Sequence, residues 1–168
     1  MIDLTSTPII ILVILGSVGV ALPVISIALK ERPSMMSYGI ATLIAMFASI
    51  GYVLYQIALE HVAPAAIFSQ DVLVDDAFGS LFAIAMLIVA IFTTIGSFSY
   101  MKNKANPSVY FSLILLSTIG MVLVAYSTDL VMLFVAWELM SIPTYILVGF
   151  LKKDPISNEA AIKYFLFG

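Results

Sequence analysis

Five long apolar stretches, separated by short polar ones, dominate the pattern of this chain. They run over about 8–29, 35–58, 77–100, 108–127 and 129–151, each near the twenty residues a helix needs to cross a hydrocarbon core. The polar punctuation falls at Lys30–Ser34, the longer Leu59–Asp76, Met101–Pro107, a tight link at Ser127–Thr128, and Lys152–Ser157. A further helix opens at Asn158 and runs to Gly168, about two and a half turns and short of a crossing. The chain thus stops inside an element, and the expectation is a fragment of a longer polypeptide. The first stretch is read as a retained helix: it has no basic leader (Asp3 is its only early charge) and its apolar run is too long for a signal peptide. The pattern predicts an all-α integral membrane protein, a polytopic helical bundle with five complete transmembrane helices and the start of a sixth.

Composition agrees. Of 168 residues, 62% are hydrophobic and 10% charged, where a soluble domain would be about a quarter charged. Charge placement adds an orientation. Lys30, Arg32, Lys102, Lys104, Lys152 and Lys153 all fall in the first, third and fifth connectors. The second and fourth connectors carry no base and instead hold Glu60, Asp71, Asp75, Asp76 and Asp129. The positive-inside rule then places the N-terminus outside and the basic loops in the cytoplasm of a cell membrane. With no cysteine, disulfides, thiolate zinc sites and iron–sulfur ligation within the chain are excluded. A lone His61 builds no metal cluster and reads as a solvated loop residue. No Gly-rich phosphate loop, catalytic triad or basic nucleic-acid stripe is present, so the chain is expected to bind no redox cofactor, no metal and no nucleic acid.

The chemistry worth attention sits in the fifth stretch. Glu138 lies roughly 14 Å below the Asp129 end, close to the midplane of a core about 30 Å thick. An ionisable group there costs on the order of a few kcal/mol, and such residues are by default proton- or ion-handling sites. Ser141 and Tyr145 follow at i+3 and i+7, within about 60° of Glu138, and form a narrow polar stripe. Pro143 removes the amide that would bond the Leu139 carbonyl, leaving an acceptor for water or a side-chain donor. The alternative is a protonated Glu138 that only bonds a neighbouring helix. Asp129 is expected to cap its helix, with a pathway mouth as the alternative, and Asp75 and Asp76 to cap the third helix. Lys163, four residues after Glu159, reads either as half of a surface ion pair or as a positive charge that tunes Glu138. Trp137 is expected to pack beside Glu138. Gly16, Gly19, Gly51, Gly96 and Gly120 would allow close helix approach, and Thr93, Thr94, Ser97 and Ser112 can bond their own helix backbone.

These residues resemble a known family. Ser127-Thr-Asp-Leu-Val-Met-Leu-Phe-Val-Ala-Trp-Glu138-Leu-Met-Ser-Ile-Pro143-Thr-Tyr145, followed by Asn158-Glu159-Ala-Ala-Ile-Lys163-Tyr-Phe-Leu-Phe-Gly168, resembles the antiporter-like membrane subunits of respiratory complex I, most closely the N-type subunit. Asp76-Ala-Phe and Leu113-x-Leu-Leu-Ser-Thr-x-Gly120-Met fit more loosely. The resemblance implies a membrane-arm subunit of a proton-pumping NADH (or related donor)–quinone oxidoreductase, a translocase with no redox chemistry in this chain. Flavin, iron–sulfur clusters and quinone are then expected in partner subunits. The other membrane-arm subunits, the lipid bilayer and protons are the expected partners. Glu138 would be the buried glutamate of the proton path, Lys163 the basic residue opening the sixth helix, and Ser141 and Tyr145 supporting groups. It further implies two parts: three N-terminal transmembrane helices over 1–107, and over 108–168 the truncated start of the antiporter-like proton-channel repeat. The family's broken seventh helix, whose lysine would pair with Glu138, and its second inverted repeat are absent from these residues. A multisubunit cation/proton antiporter subunit and a purely structural bundle are the other readings.

Overall fold

A chain this apolar can place its backbone in lipid only by satisfying every amide within helices. The computed structural model describes residues 6–29, 34–59, 72–102 and 104–168, and it does so with six helices. They are α1 (Thr7–Ala28), α2 (Met35–Ala58), α3 (Ala77–Tyr100), α4 (Pro107–Tyr126), α5 (Leu130–Val148) and α6 (Pro155–Phe167). The first five are long and apolar enough to cross a membrane, at 19 to 24 residues each. Lys30, Arg32, Glu60, His61 and Asp71 lie outside the described residues.

Local chemistry sets the helix starts. Pro8, Pro107 and Pro155 occupy first-turn positions, where a missing amide costs nothing. Ser34, Asp76, Asp129 and Asp154 each cap the helix that follows, with side-chain oxygens accepting first-turn amides. The Asp154–Pro155 pair explains why α6 starts three residues earlier than the apolar pattern suggests, and Gly149 ends α5 three residues early. Asn106 turns the chain into α4 with a left-handed backbone (φ 57°), which asparagine tolerates better than most residues.

Asp75 departs from expectation. Asp76 caps α3, with Oδ1 accepting from the Gly79 amide at 2.7 Å. Asp75 instead reaches another helix: its Oδ2 accepts from the Thr7 amide at 2.8 Å, at the opening of α1. One acidic pair therefore caps two helices and pins the start of α1 to the start of α3. Asp75→Ala is expected to cost about 1 kcal/mol, as a lost N-cap does, and to hasten amide exchange in the first turn of α1. Asp75→Asn, which keeps an acceptor, should exchange close to the parent. Equal exchange in the alanine variant would show that the bond carries no weight.

The same end is closed by a short backbone clasp. Val74 donates to the Tyr126 carbonyl at 3.0 Å and Thr128 to the Val72 carbonyl at 3.2 Å, tying the approach to α3 against the α4–α5 link. At the opposite end the Tyr110 ring meets Phe150 edge-on at 5.1 Å. Lys102, Lys104, Lys152 and Lys153 thus gather at that end, away from Asp75, Asp76 and Asp129.

The most enclosed helix is α4. It packs against α1, α2, α3 and α5 and brings Phe111, Leu115 and Val122 into a core shared with Leu15, Met46 and Leu87. Two serines on α4 also serve its neighbours. In α1, Pro23 leaves the Gly19 carbonyl without its usual amide, and Ser112 Oγ donates to that oxygen at 2.5 Å. Ser112 was expected to bond its own helix, as Thr93, Thr94 and Ser97 do. The freed carbonyl across the interface redirects it. Ser117 likewise reaches across to α5, but to the Met140 carbonyl, next to the Leu139 carbonyl that Pro143 frees.

Candidate functional site

Glu138 is the ninth of the 19 residues of α5, which places it mid-helix. The face that α5 turns to the core carries Ala136, Leu139, Pro143 and Leu147. At 100° per residue Glu138 lies about 160° round from Ala136, on the side averted from α4. Within this chain alone Glu138 is part-buried. That partial exposure follows from the way α5 packs. A Cβ built on Gly120 of α4 would strike the backbone of Leu139 and Met140, so the two helices meet backbone to backbone at that level. The carboxylate side is left to something other than α4. The neighbours of α5 are α4 and α6 alone among the described residues, and Glu138 makes no side-chain hydrogen bond or ion pair there.

The proline-interrupted turn just beyond Glu138 is well supplied with donors. Ser141 Oγ donates to the Trp137 carbonyl at 2.8 Å and Thr144 Oγ1 to the Ser141 carbonyl at 2.7 Å. From α4, Ser117 Oγ donates to the Met140 carbonyl at 3.1 Å, one residue beyond the carbonyl that Pro143 frees. Ser141 is thus buried and engaged with its own backbone, not offered to Glu138. Tyr145 stays on the Glu138 face, but its ring is held edge-on by Tyr164 and Phe165 of α6, at 5.0 and 5.5 Å. Trp137 is 52% exposed in this chain.

Lys163 forms the i,i+4 ion pair with Glu159, at 2.5 Å, with both side chains well exposed. The contacts of α6 with α5 run through Ala161, Tyr164 and Phe165. Lys163 lies about 160° round from Ala161 and faces away from α5. Lys163 and Glu138 are therefore not brought together among the described residues. Asp129 is a cap, with Oδ1 accepting from Val131 and Met132 at 2.9 and 3.0 Å. A cavity of about 320 Å³ between the ends of α3 and α4, near Phe78, Phe82 and Tyr126, is not lined by Glu138.

Sequence reasoning picked Gly120 correctly but ranked it with glycines that have no close neighbour: nothing lies within 4 Å of a Cβ built on Gly51 or Gly96. It missed Gly79, whose Cβ would press on the Tyr126 ring, and Ser117. A signal for Ser117 was present, since Ser117 and Gly120 are three residues apart, on one face, as small residues are in closely packed membrane helices.

Comparison with known proteins places this geometry. Residues 127–168, which hold α5 and α6, match the family described as NADH:quinone oxidoreductase/Mrp antiporter, transmembrane. Subunit N 1 of the NADH-quinone oxidoreductase of Solibacter usitatus is 34% identical over 157 residues, covering 93% of this chain and 31% of that protein. The subunit N of Desulfitobacterium hafniense is 34% identical over 170 residues, with 99% and 32% covered. The F(420)H(2) dehydrogenase subunit N of Methanosarcina mazei is 39% identical over 102 residues, with 61% and 20% covered. A chain in the solved structure of respiratory complex I from Thermus thermophilus superposes with a TM-score of 0.69 at 25% identity, over 93% of this chain and 32% of that one. The chain spans about a third of the length of the first of these relatives.

Proposed function

Because this chain is an NADH–quinone oxidoreductase subunit N-like membrane protein, we propose that it forms part of the membrane arm of a proton-translocating quinone oxidoreductase and contributes Glu138 to the proton path. The observation that carries the reading is the placement of Glu138: mid-helix, unpaired among the described residues, and on the face of α5 that α4 does not cover. An unpaired carboxyl in that position accepts and releases a proton without breaking a packing contact of this chain. Its counter-charge comes from an element outside the described residues, a cation on a helix covering the free side of α5 and α6. Other membrane-arm subunits are the partners, and flavin, iron–sulfur clusters and quinone belong to them.

Lys163 is assigned a supporting electrostatic role. Glu159 holds it on the outer face of α6, where a change in that pairing alters the field along α6 toward Glu138. Tyr145 supports through its position on the Glu138 face, and Ser141 through the backbone of that turn. Residues 108–168 are read as the opening of the proton-channel repeat and 1–107 as the helices that brace it. The gathering of Lys102, Lys104, Lys152 and Lys153 at one end favours a cytoplasmic position for that end in a cell membrane, with the Asp75 and Asp129 end outside. The family description embraces cation/proton antiporters, but the subunit N relatives, which match over nearly the whole chain, favour the quinone-linked reading.

The test replaces Glu138 by glutamine in the full-length subunit and follows quinone-driven acidification of inverted membrane vesicles. Loss of acidification in a fully assembled complex is the expected result. Unchanged acidification would end the proposal, and failed assembly would return Glu138 to a structural role.

A further inference from the structure

Among the described residues, one side-chain hydrogen bond from another helix reaches the turn that carries Glu138. Pro143 leaves the Leu139 carbonyl without its amide, which loosens α5 just beyond Glu138. Ser141 and Thr144 strengthen that turn, but both belong to α5 and move with it. Ser117 comes from α4, is 6% exposed, and donates to the Met140 carbonyl at 3.1 Å, two residues from Glu138. Gly120, on the same face of α4, lets the backbones touch at Leu139 and Met140, so the bond closes directly between the helices. We propose that Ser117 is a positioning residue for Glu138: its hydroxyl sets the height and rotation of the proline-loosened turn, and thereby the place of the carboxyl on the far side of α5. This rests on the reading of Glu138 as a proton carrier.

The fold contains its own control. Ser112 also donates across an interface to a backbone carbonyl beside a proline, Gly19 below Pro23, but α1 carries no titratable side chain. A hydroxyl that only holds two helices together beside a proline should behave alike at both sites, whereas a positioning hydroxyl should affect proton chemistry at Ser117 alone. Other groups near the Glu138 face are few. From α4 there is no charged residue. From α6 there is Tyr164 against Tyr145, with Glu159 and Lys163 paired on the far side.

The experiment uses the full-length subunit in its assembled complex and records the pH profile of quinone-driven proton transfer for Ser117→Thr, Ser117→Val, Ser117→Ala and Ser112→Val, beside Glu138→Gln. Ser117→Val and Ser117→Ala are expected to slow transfer roughly threefold, the weight of an average interhelical hydrogen bond in a bilayer, and to displace the pH profile. Ser117→Thr, which keeps the hydroxyl, should restore both, and Ser112→Val should lower thermal stability without moving the profile. If the valine variant fails to assemble, the alanine variant, which adds no bulk, gives the reading. The proposal is overturned if Ser117→Val and Ser117→Thr have the same profile, or if Ser112→Val displaces it equally. Glu138→Gln separates the two levels: transfer that survives it ends the proton-path reading and the role of Ser117 together. Transfer lost there but unmoved by Ser117→Val and Ser117→Ala removes only the role of Ser117.

Discussion

Gly120→Val is expected to be the most damaging single apolar substitution in the bundle. The first added carbon already falls on the backbone of Leu139 and Met140. A side chain in the way would rotate aside, but a helix backbone yields only by moving the whole helix. Overpacking costs about 1–3 kcal/mol when side chains absorb it, and a backbone collision belongs at or above the upper end. Against a total stability of about 5–15 kcal/mol that is a large share. The displacement would also stretch the Ser117–Met140 bond, adding the loss of an interhelical contact. The full-length subunit should be recovered in much reduced yield in detergent, with a lowered thermal midpoint. Gly96→Ala is the matched control: its Cβ meets nothing within 4 Å in this chain, and alanine is the better helix former. Equal yields for the two variants would mean that α4 and α5 are not in backbone contact.

The second large effect concerns where on α5 the carboxylate stands. Residue 142 lies four positions beyond 138, about 40° round the helix and 6 Å along it, and Ile142 is 51% exposed. Glu138→Leu combined with Ile142→Glu therefore moves the carboxylate along the same open face. Glu138→Leu combined with Leu139→Glu rotates it by about 100° toward α4, beside Gly120. The first pair is expected to recover a substantial part of the proton transfer that Glu138→Gln removes. The second buries an unpaired carboxylate against a backbone contact, which costs several kcal/mol, and the subunit should fail to accumulate. Quinone-driven acidification and subunit yield, measured together, decide the matter. Transfer recovered by the carboxylate at 139 but not at 142 would place the working face of α5 against α4 and refute the geometry argued above.

Much of this protein is legible from hydropathy alone because lipid leaves the backbone so few options. The spans α2 and α3 fall where the apolar pattern puts them, and α1 and α4 are each displaced by a single residue. The end of α5 and the start of α6 were less legible. Phe150 and Leu151 are as apolar as a helix interior, so hydropathy runs through Gly149, where the helix stops. Asp76 and Asp129 announce their caps by adjacency, but Asp75 does not, because its amide partner is 68 residues away.

The candidate site divides along the same line. The amino-acid sequence by itself determined the spans, the mid-helix position of Glu138 and the proline gap beside it, since each depends on spacing along one helix. Only the tertiary structure decided which face of α5 meets α4. An all-apolar helix carries no amphipathic stripe to reveal its packing side, and the small residues that allow close approach occur on several faces. Backbone contact at Gly120 selects that side, turns Glu138 away from the core of this chain and gives Ser117 its bond to Met140.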